Sequence, residues 1–312
     1  MLARAQSPHG PQDSVGVIER QQDVTRVVLA AMAQAPNERL REIAAVFVRH
    51  MHEFAREVRL TEAEYDIGVD LLNRIGQATN DHHNEGILFA DAIGFSTLVC
   101  LLNNGNAGTT ETAAALLGPF WRQNSPRTPN GGSIVRSPTP GPELFVNCWI
   151  VDKNGTPIVG VEVDVWQSSP VGLYENQDDS QADMNLRGKL ITDADGHFAF
   201  RSVKPAGYAV PTDGPVGDML RAQRRHPYRP AHLHFLGFKS GFKTLITQIF
   251  VDDDEHLSSD VVFGVTKALI GDYRRHDTGA LPASDVTPPW YTLDYKFVME
   301  AGEARLPVPP IK

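Results

Sequence analysis

Arg229-Pro230-Ala231-His232-Leu233-His234-Phe235 reads as the start of a β-strand. A strand sets residues i and i+2 on one face, so the imidazoles of His232 and His234 point to one spot while Ala231, Leu233 and Phe235 point the other way. Upstream, Tyr174 and Tyr208 stand in turns rich in Gly and Pro. Two neutral imidazoles and two phenolate oxygens make a hard, doubly anionic donor set that suits trivalent iron better than zinc or calcium. On the His pair alone, the ordinary reading is solvated side chains on the polar face of an amphipathic strand. Other metal families that use such a pair need follow-on residues that are missing. A metallo-hydrolase needs Asp-His soon after, where Phe235-Leu236-Gly237 stands, and a cupin needs Glu where Phe238 and Lys239 stand.

The 312 residues can bury a large core, in one big domain or two smaller ones. Hydrophobic residues at 41% and charged residues at 21% describe a soluble globular chain. A net charge of -9, with no basic stripe, argues against a nucleic-acid surface. Cys100 and Cys148 cannot build a disulfide framework and fit a reducing cytoplasm. Met1–Val15 lacks an apolar signal core and reads as a loose tail. The apolar stretch 86–102 is short for a bilayer span and contains Asp91, which reads as a helix buried in protein, so no membrane span is expected.

From about Val17 to Leu117 the apolar residues recur at three and four. Leu40, Ile43, Ala44, Phe47, Val48, Met51 and Phe54 form one face of a long helix. Thr61-Glu62-Ala63-Glu64 has the form of a capping box, and Asn103-Asn104-Gly105 a helix stop. So apolar a helical segment points to a dimer interface. After Pro119 the grammar changes, with strand-like alternation in 145–151 and 161–166. Lys153-Asn154-Gly155 and Asp193-Ala194-Asp195-Gly196 are hairpin turn signals; the latter lacks the later ligands of a calcium loop. Asp252–Glu255 reads as a solvated acidic loop. The expected fold class is α+β: a tail over 1–16, a helical dimerisation domain over 17–118, and a mainly antiparallel β-sandwich over 119–312.

The ordered set Leu173-Tyr174-Glu175, Lys204-Pro205-Ala206-Gly207-Tyr208, Arg229 to His234 and Thr247-Gln248-Ile249 resembles the intradiol ring-cleavage dioxygenases. Leu116-Leu117-Gly118-Pro119-Phe120 adds to the likeness, which runs from the helical segment to about Tyr273. Each motif alone is modest, and the order makes them specific. The resemblance implies one Fe(III) per chain, held by Tyr174, Tyr208, His232 and His234, with a small aromatic diol and dioxygen as substrates. It implies that Tyr208 is the ligand the diol displaces, that Arg229 stabilises negative charge on the ring, and that Gln248 orients or shields the intermediate. Tyr228 and His226 are decoys, because Pro227 and Pro230 break the strand period needed to aim them at the metal.

Segments 209–217, 225–229 and 262–265 look more like the hydroxyquinol type of the family than the simple catechol type. That type would open benzene-1,2,4-triol to 3-hydroxy-cis,cis-muconate; catechol or a chlorocatechol is the alternative, and a non-catalytic sandwich binding module the alternative of another class. The family pocket would be lined by Leu88, Asp91, Leu117, Gly118, Pro119, Phe120, Val210 and Pro211. Asp91 either accepts a hydrogen bond from the third ring hydroxyl or is a helix-surface or interface charge. The resemblance further implies a homodimer through the N-terminal helices, with a phospholipid enclosed in an apolar tunnel.

Overall fold

The structure is a computed structural model that describes residues 16–80, 83–104 and 111–310. All of the expected tail except Gly16, and the helix-stop residue Gly105, lie outside the described residues. The chain forms two compact units, Met1–Leu72 and Asn73–Lys312. The division falls inside a helix, well before the change of sequence grammar near residue 118.

The first unit holds α1 (Asp23–Met32), α2 (Glu38–Glu57) and the start of α3 (Glu62–Ala78). Asn37 begins α2 by accepting the Leu40 amide at 2.9 Å. The capping box forms as its spacing indicates: Thr61 Oγ1 accepts from the Glu64 amide at 3.3 Å and Glu64 Oε2 accepts from the Thr61 amide at 2.9 Å. On α2 only Val48 is buried; Leu40, Ile43, Phe47, Met51 and Phe54 on the same face are exposed, Phe47 to 63%.

In the second unit the apolar stretch read as one buried helix is two, α4 (Glu85–Ala92) and α5 (Phe95–Asn104), bent by 79°. Gly94 makes the break at φ +73, which a residue with a Cβ adopts only with strain. Among the described residues no single helix is long and apolar enough to cross a membrane. Ile93, Phe95, Leu98 and Leu102 are exposed, so this stretch is less buried than its composition suggests.

Two sheets follow. One contains β1 (Glu143–Val151), β4 (His197–Val203), β10 (Tyr273–His276) and β11 (Trp290–Val298) in the order β10-β11-β1-β4. The other contains β2 (Glu162–Gln167), β3 (Arg187–Ile191), β7 (His232–Phe238), β8 (Leu245–Val251) and β9 (Ile270–Gly271) in the order β3-β2-β7-β8-β9. A two-stranded ribbon pairs β5 (Tyr208–Ala209) with β6 (Tyr228–Arg229), and α6 (Pro215–Ala222) lies between them in sequence. Most pairings are antiparallel as expected, but β1–β11 and β8–β9 are parallel, so the sandwich is mixed. Alternation on β1 sends Leu144, Val146, Cys148 and Ile150 into the core, where they meet Phe198, Leu233, Phe235 and Phe297. Burying a side chain of this kind stabilises the fold by roughly 1.5–3 kcal/mol.

Both turn signals make turns, yet neither joins paired strands. Asp193–Gly196 links β3 of one sheet to β4 of the other, and the Gly155 turn likewise links β1 to β2. Local turn chemistry fixes a chain reversal; strand partners are chosen by burial on both inner faces.

Candidate metal centre

β7 is buried on both faces. Ala231, Leu233 and Phe235 enter the sandwich core, while His232, His234 and Leu236 face outward beneath a second cover that includes Phe120, Trp121, Tyr174 and Tyr208. The strand period thus aims both imidazoles into a covered pocket instead of solvent. His232 Nε2 lies 3.0 Å from His234 Nε2, which lies 3.1 Å from the Tyr174 hydroxyl. Two bonds of about 2.1 Å meeting near a right angle at one metal ion leave their donor atoms about 3.0 Å apart, so these separations suit a shared ion.

The hydrogen-bond network assigns the tautomer of His232. Its Nδ1 is 2.7 Å from the Pro230 carbonyl, which can only accept, so Nδ1 carries the proton and Nε2 presents a lone pair to the centre. Burial and then the Arg229 charge pull the His232 imidazole down to about 3, and burial and then His232 pull His234 well below its ordinary value. Both rings are neutral donors at neutral pH. Burial, reinforced by Tyr208, pushes the Tyr174 phenol well above its ordinary range. A phenolate there needs a strong Lewis acid, which is what an oxidised metal ion provides. Among the described residues no cluster of three or more His, Cys, Asp or Glu side chains could hold a metal, and the oxygen donor beside the two imidazoles is the Tyr174 hydroxyl.

Tyr174 opens a short 3-10 turn (Glu175–Gln177), and Tyr208 sits on β5; their rings meet edge to face at 5.5 Å. Trp166 stacks on His234 at 4.5 Å and 9°, which fixes the plane of that ring. Gly118 approaches from the other side: a Cβ there would stand 3.3 Å from His234 Cε1, and its φ of +74 favours glycine besides. Gln248 lies directly across from His234 in the β7–β8 register. Its Oε1 accepts from Arg229 Nη2 at 2.9 Å, and Arg229 Nη1 is 3.3 Å from His232 Nε2. All six residues expected from sequence at or beside the metal are therefore gathered in one buried cluster.

Of the expected pocket residues, Leu88 packs with Val210, and Phe120 lies 4.4 Å from the Tyr174 ring with Leu117 against the same cluster. Pro119 and Pro211 are half-buried. Asp91 is buried and within electrostatic reach of Arg229 and Asp260, which removes the helix-surface reading. Burial raises its carboxyl above the usual range. Tyr228 is 44% exposed and stacks on His256, with His226 beside it, as expected of rim residues. In the acidic run Asp254 is not simply solvated, because its Oδ2 accepts the Ala231 amide at 2.9 Å, one residue before His232. A cleft of about 510 Å³ lined by Lys204–Gly207, Ala231 and Asp253–Glu255 contains none of the ligand or pocket residues.

Asp260 and Arg187 are among the buried charges that the sequence does not reveal. Asp260 pairs with Arg229, at 3.2 Å to Nε and 3.3 Å to Nη2. Its signal was faint: it precedes the 262–265 stretch that was read for ring substituents, and two later amides fold back on its carboxylate. Arg187 is fully buried, with Nε 2.6 Å from Glu175 Oε1 and Nη1 2.5 Å from the Phe120 carbonyl. Nothing in the sequence around Arg187 marks it, although Glu175 follows Tyr174 directly.

Comparison with known proteins identifies the family. The family model described as "Dioxygenase" matches residues 116–300, and that described as "Catechol dioxygenase N terminus" matches 37–110. A hydroxyquinol 1,2-dioxygenase of Rhizobium sp. is 40% identical over 276 residues, spanning 87% of this chain and 92% of the relative. A catechol 1,2-dioxygenase of Candida albicans is 39% identical over 258 residues, 82% of this chain and 85% of its own length. The crystal structure of hydroxyquinol 1,2-dioxygenase from Pseudomonas putida superposes with a TM-score of 0.84 at 37% identity, covering 90% of this chain and 99% of that one. The chain belongs to the intradiol ring-cleavage dioxygenases and is an enzyme of that family. The binding-module alternative falls with that membership.

Proposed function

We propose that this enzyme is a ferric-iron hydroxyquinol 1,2-dioxygenase that opens benzene-1,2,4-triol between its adjacent hydroxyls, with both atoms of dioxygen entering 3-hydroxy-cis,cis-muconate, the enol form of maleylacetate. The observation that carries the reading is the convergence of His232 Nε2, His234 Nε2 and the Tyr174 hydroxyl beside Tyr208, in a chain similar to enzymes named for this substrate. When bound, ferric iron supplies the Lewis acidity that ionises the tyrosines and the diol, and an electron sink that makes the ring reactive towards dioxygen. Tyr174, His232 and His234 would hold it. Tyr208, whose ring meets that of Tyr174 edge to face, would complete the set and take one of the diol protons at its phenolic oxygen. Arg229, opposed by its burial but kept charged by Asp260 together with Tyr208 and Tyr174, faces the negative charge that develops on the ring. Gln248 shares Arg229 Nη2 with Asp260 and donates in turn to the Leu116 carbonyl. Leu88, Leu117, Gly118, Pro119, Phe120, Val210 and Pro211 supply the wall against which the ring lies.

The decisive assay is oxygen uptake on hydroxyquinol, catechol and 4-chlorocatechol side by side, with metal analysis of the same preparation. Uptake fastest with hydroxyquinol, about one iron per chain and a red-brown tyrosinate colour are the expected results. A colourless protein that consumes no oxygen with any diol would sink the proposal. Catechol remains the second reading, favoured by the likeness to the Candida albicans catechol enzyme. Asp91 separates the two, because a carboxylate in an apolar helix has no partner on a plain catechol ring. Asp91→Asn is expected to lower kcat/KM for the triol about tenfold more than for catechol, the effect of one buried hydrogen bond. Equal losses on the two substrates would remove Asp91 from ring selection.

Two copies are inferred to pair through the helical segment of residues 17–118, around an enclosed phospholipid. Support comes from the apolar face of α2, on which Leu40, Ile43, Phe47, Met51 and Phe54 are all exposed, as a face that meets a partner would be. Light scattering and mass spectrometry of an organic extract test the pairing and the lipid separately. The free cysteines, Cys148 buried in the core and Cys100 partly buried, accord with a cytoplasmic setting.

A further inference from the structure

Arg229 is a long side chain on a two-residue strand between Pro227 and Pro230, and its own backbone does little to choose its rotamer. The choice is made at the guanidinium. One edge, Nε and Nη2, is taken by Asp260 Oδ1 and Oδ2 at 3.2 and 3.3 Å. Nη2 also donates to Gln248 Oε1 at 2.9 Å, and Gln248 Nε2 donates to the Leu116 carbonyl at 2.6 Å. Nη1 is the end left facing the ligand atoms, 3.3 Å from His232 Nε2. Asp260 is itself fastened: Oδ1 accepts the Val262 amide at 3.3 Å and Oδ2 the Gly264 amide at 3.0 Å. Gly264 adds a steric limit, since a Cβ there would lie 3.0 Å from Arg229 Nη2 and 3.2 Å from Asp260 Oδ2.

We infer that Asp260 is a positioning residue for ring cleavage: it holds Arg229 in the one rotamer that turns Nη1 to the metal centre and, through Gln248, ties the 116–120 wall to the same geometry. The assignment rests on the proposed function. Among the described side chains Asp260 hydrogen-bonds only Arg229, so its positional hold on the site runs through that guanidinium. A planar fork gripped along one edge is fixed in direction as well as charge, which a point charge elsewhere in the pocket would not achieve.

The test compares iron-loaded Asp260→Asn, Arg229→Gln, their double variant and Gly264→Ala with the parent enzyme, using oxygen uptake on hydroxyquinol. Asp260→Asn is expected to lower kcat roughly tenfold to a hundredfold, as misplacement of a charge-stabilising group does, with KM little changed. Iron content and the visible tyrosinate band should stay at the parent values, because no metal ligand is disturbed. The double variant is expected to be no slower than Arg229→Gln alone, the signature of two groups acting as a unit. Gly264→Ala shifts the pair without removing a charge and should lower kcat about tenfold. Its result stands even if Asp260→Asn, which leaves a buried guanidinium short of its anion, does not fold. An active parent whose Asp260→Asn or Gly264→Ala variant keeps kcat within about twofold overturns the inference alone, as do losses that multiply in the double variant. A parent enzyme inactive on every diol overturns the functional reading and this inference together.

Discussion

Tyr208→Phe is expected to reduce turnover of hydroxyquinol by roughly a hundredfold to ten-thousandfold, the range a positioned proton acceptor contributes. The substitution removes a single oxygen. The ring that remains keeps its place against Tyr174 at 5.5 Å and Phe120 at 6.4 Å, so the aromatic cover of the site should survive and stability should change little. Loss of activity would then report the phenolic oxygen itself, the atom proposed to take a proton from the diol. The visible band should weaken or shift in parallel, because the proposed ligand set would lose one of its two tyrosinate donors. Steady-state oxygen uptake and absorption spectra of the same iron-loaded sample check both effects. Full activity in the variant would remove Tyr208 from the chemistry.

Arg187→Met should cost about 3–5 kcal/mol of stability, the usual loss when one partner of a buried ion pair is removed. Arg187 is buried completely, and its guanidinium binds Glu175 at 2.6 Å and the Phe120 carbonyl at 2.5 Å. Without it, Glu175 keeps only Arg122, whose Nη1 is 3.0 Å away and also serves Asp183. Glu175 Oε2 already lacks a partner among the described residues, so the carboxylate has little reserve. The damage would reach the metal centre because Glu175 adjoins Tyr174 in the chain and the Phe120 ring lies 4.4 Å from the Tyr174 ring. Urea unfolding measures the loss, and iron retained after dialysis reports the effect on Tyr174. Adding Glu175→Gln should recover part of the stability, since the pair's charges then disappear together. A single variant as stable as the parent to within 1 kcal/mol, the lower edge of a meaningful loss, would deny Arg187 this role.

Much of the site is legible in the sequence because its geometry is local. His232 and His234 share a face through strand period alone, and Gln248 then falls opposite His234 once β7 and β8 pair. Tyr228 is excluded as a ligand by the flanking prolines, and it does stand 44% exposed at the rim. The capping box at Thr61 formed for the same reason, since its partners are three residues apart. The break at Gly94 was harder to see. A continuous apolar run gives no sign of a bend when one glycine provides it.

Sequence by itself determined the α+β organisation and the two imidazoles on one strand face, because these depend on period and turn chemistry, while the tyrosines, arginine and glutamine as a set came from the resemblance that the ordered motifs carry. Tertiary structure alone decided what surrounds them: the crossing of the 193–196 turn between sheets, the burial of Asp91, and the grip of Asp260 on Arg229 and of Arg187 on Glu175. A buried charge chooses its partner by distance in space, and Asp260 lies 31 residues from Arg229 in the chain, beyond anything a local pattern can encode.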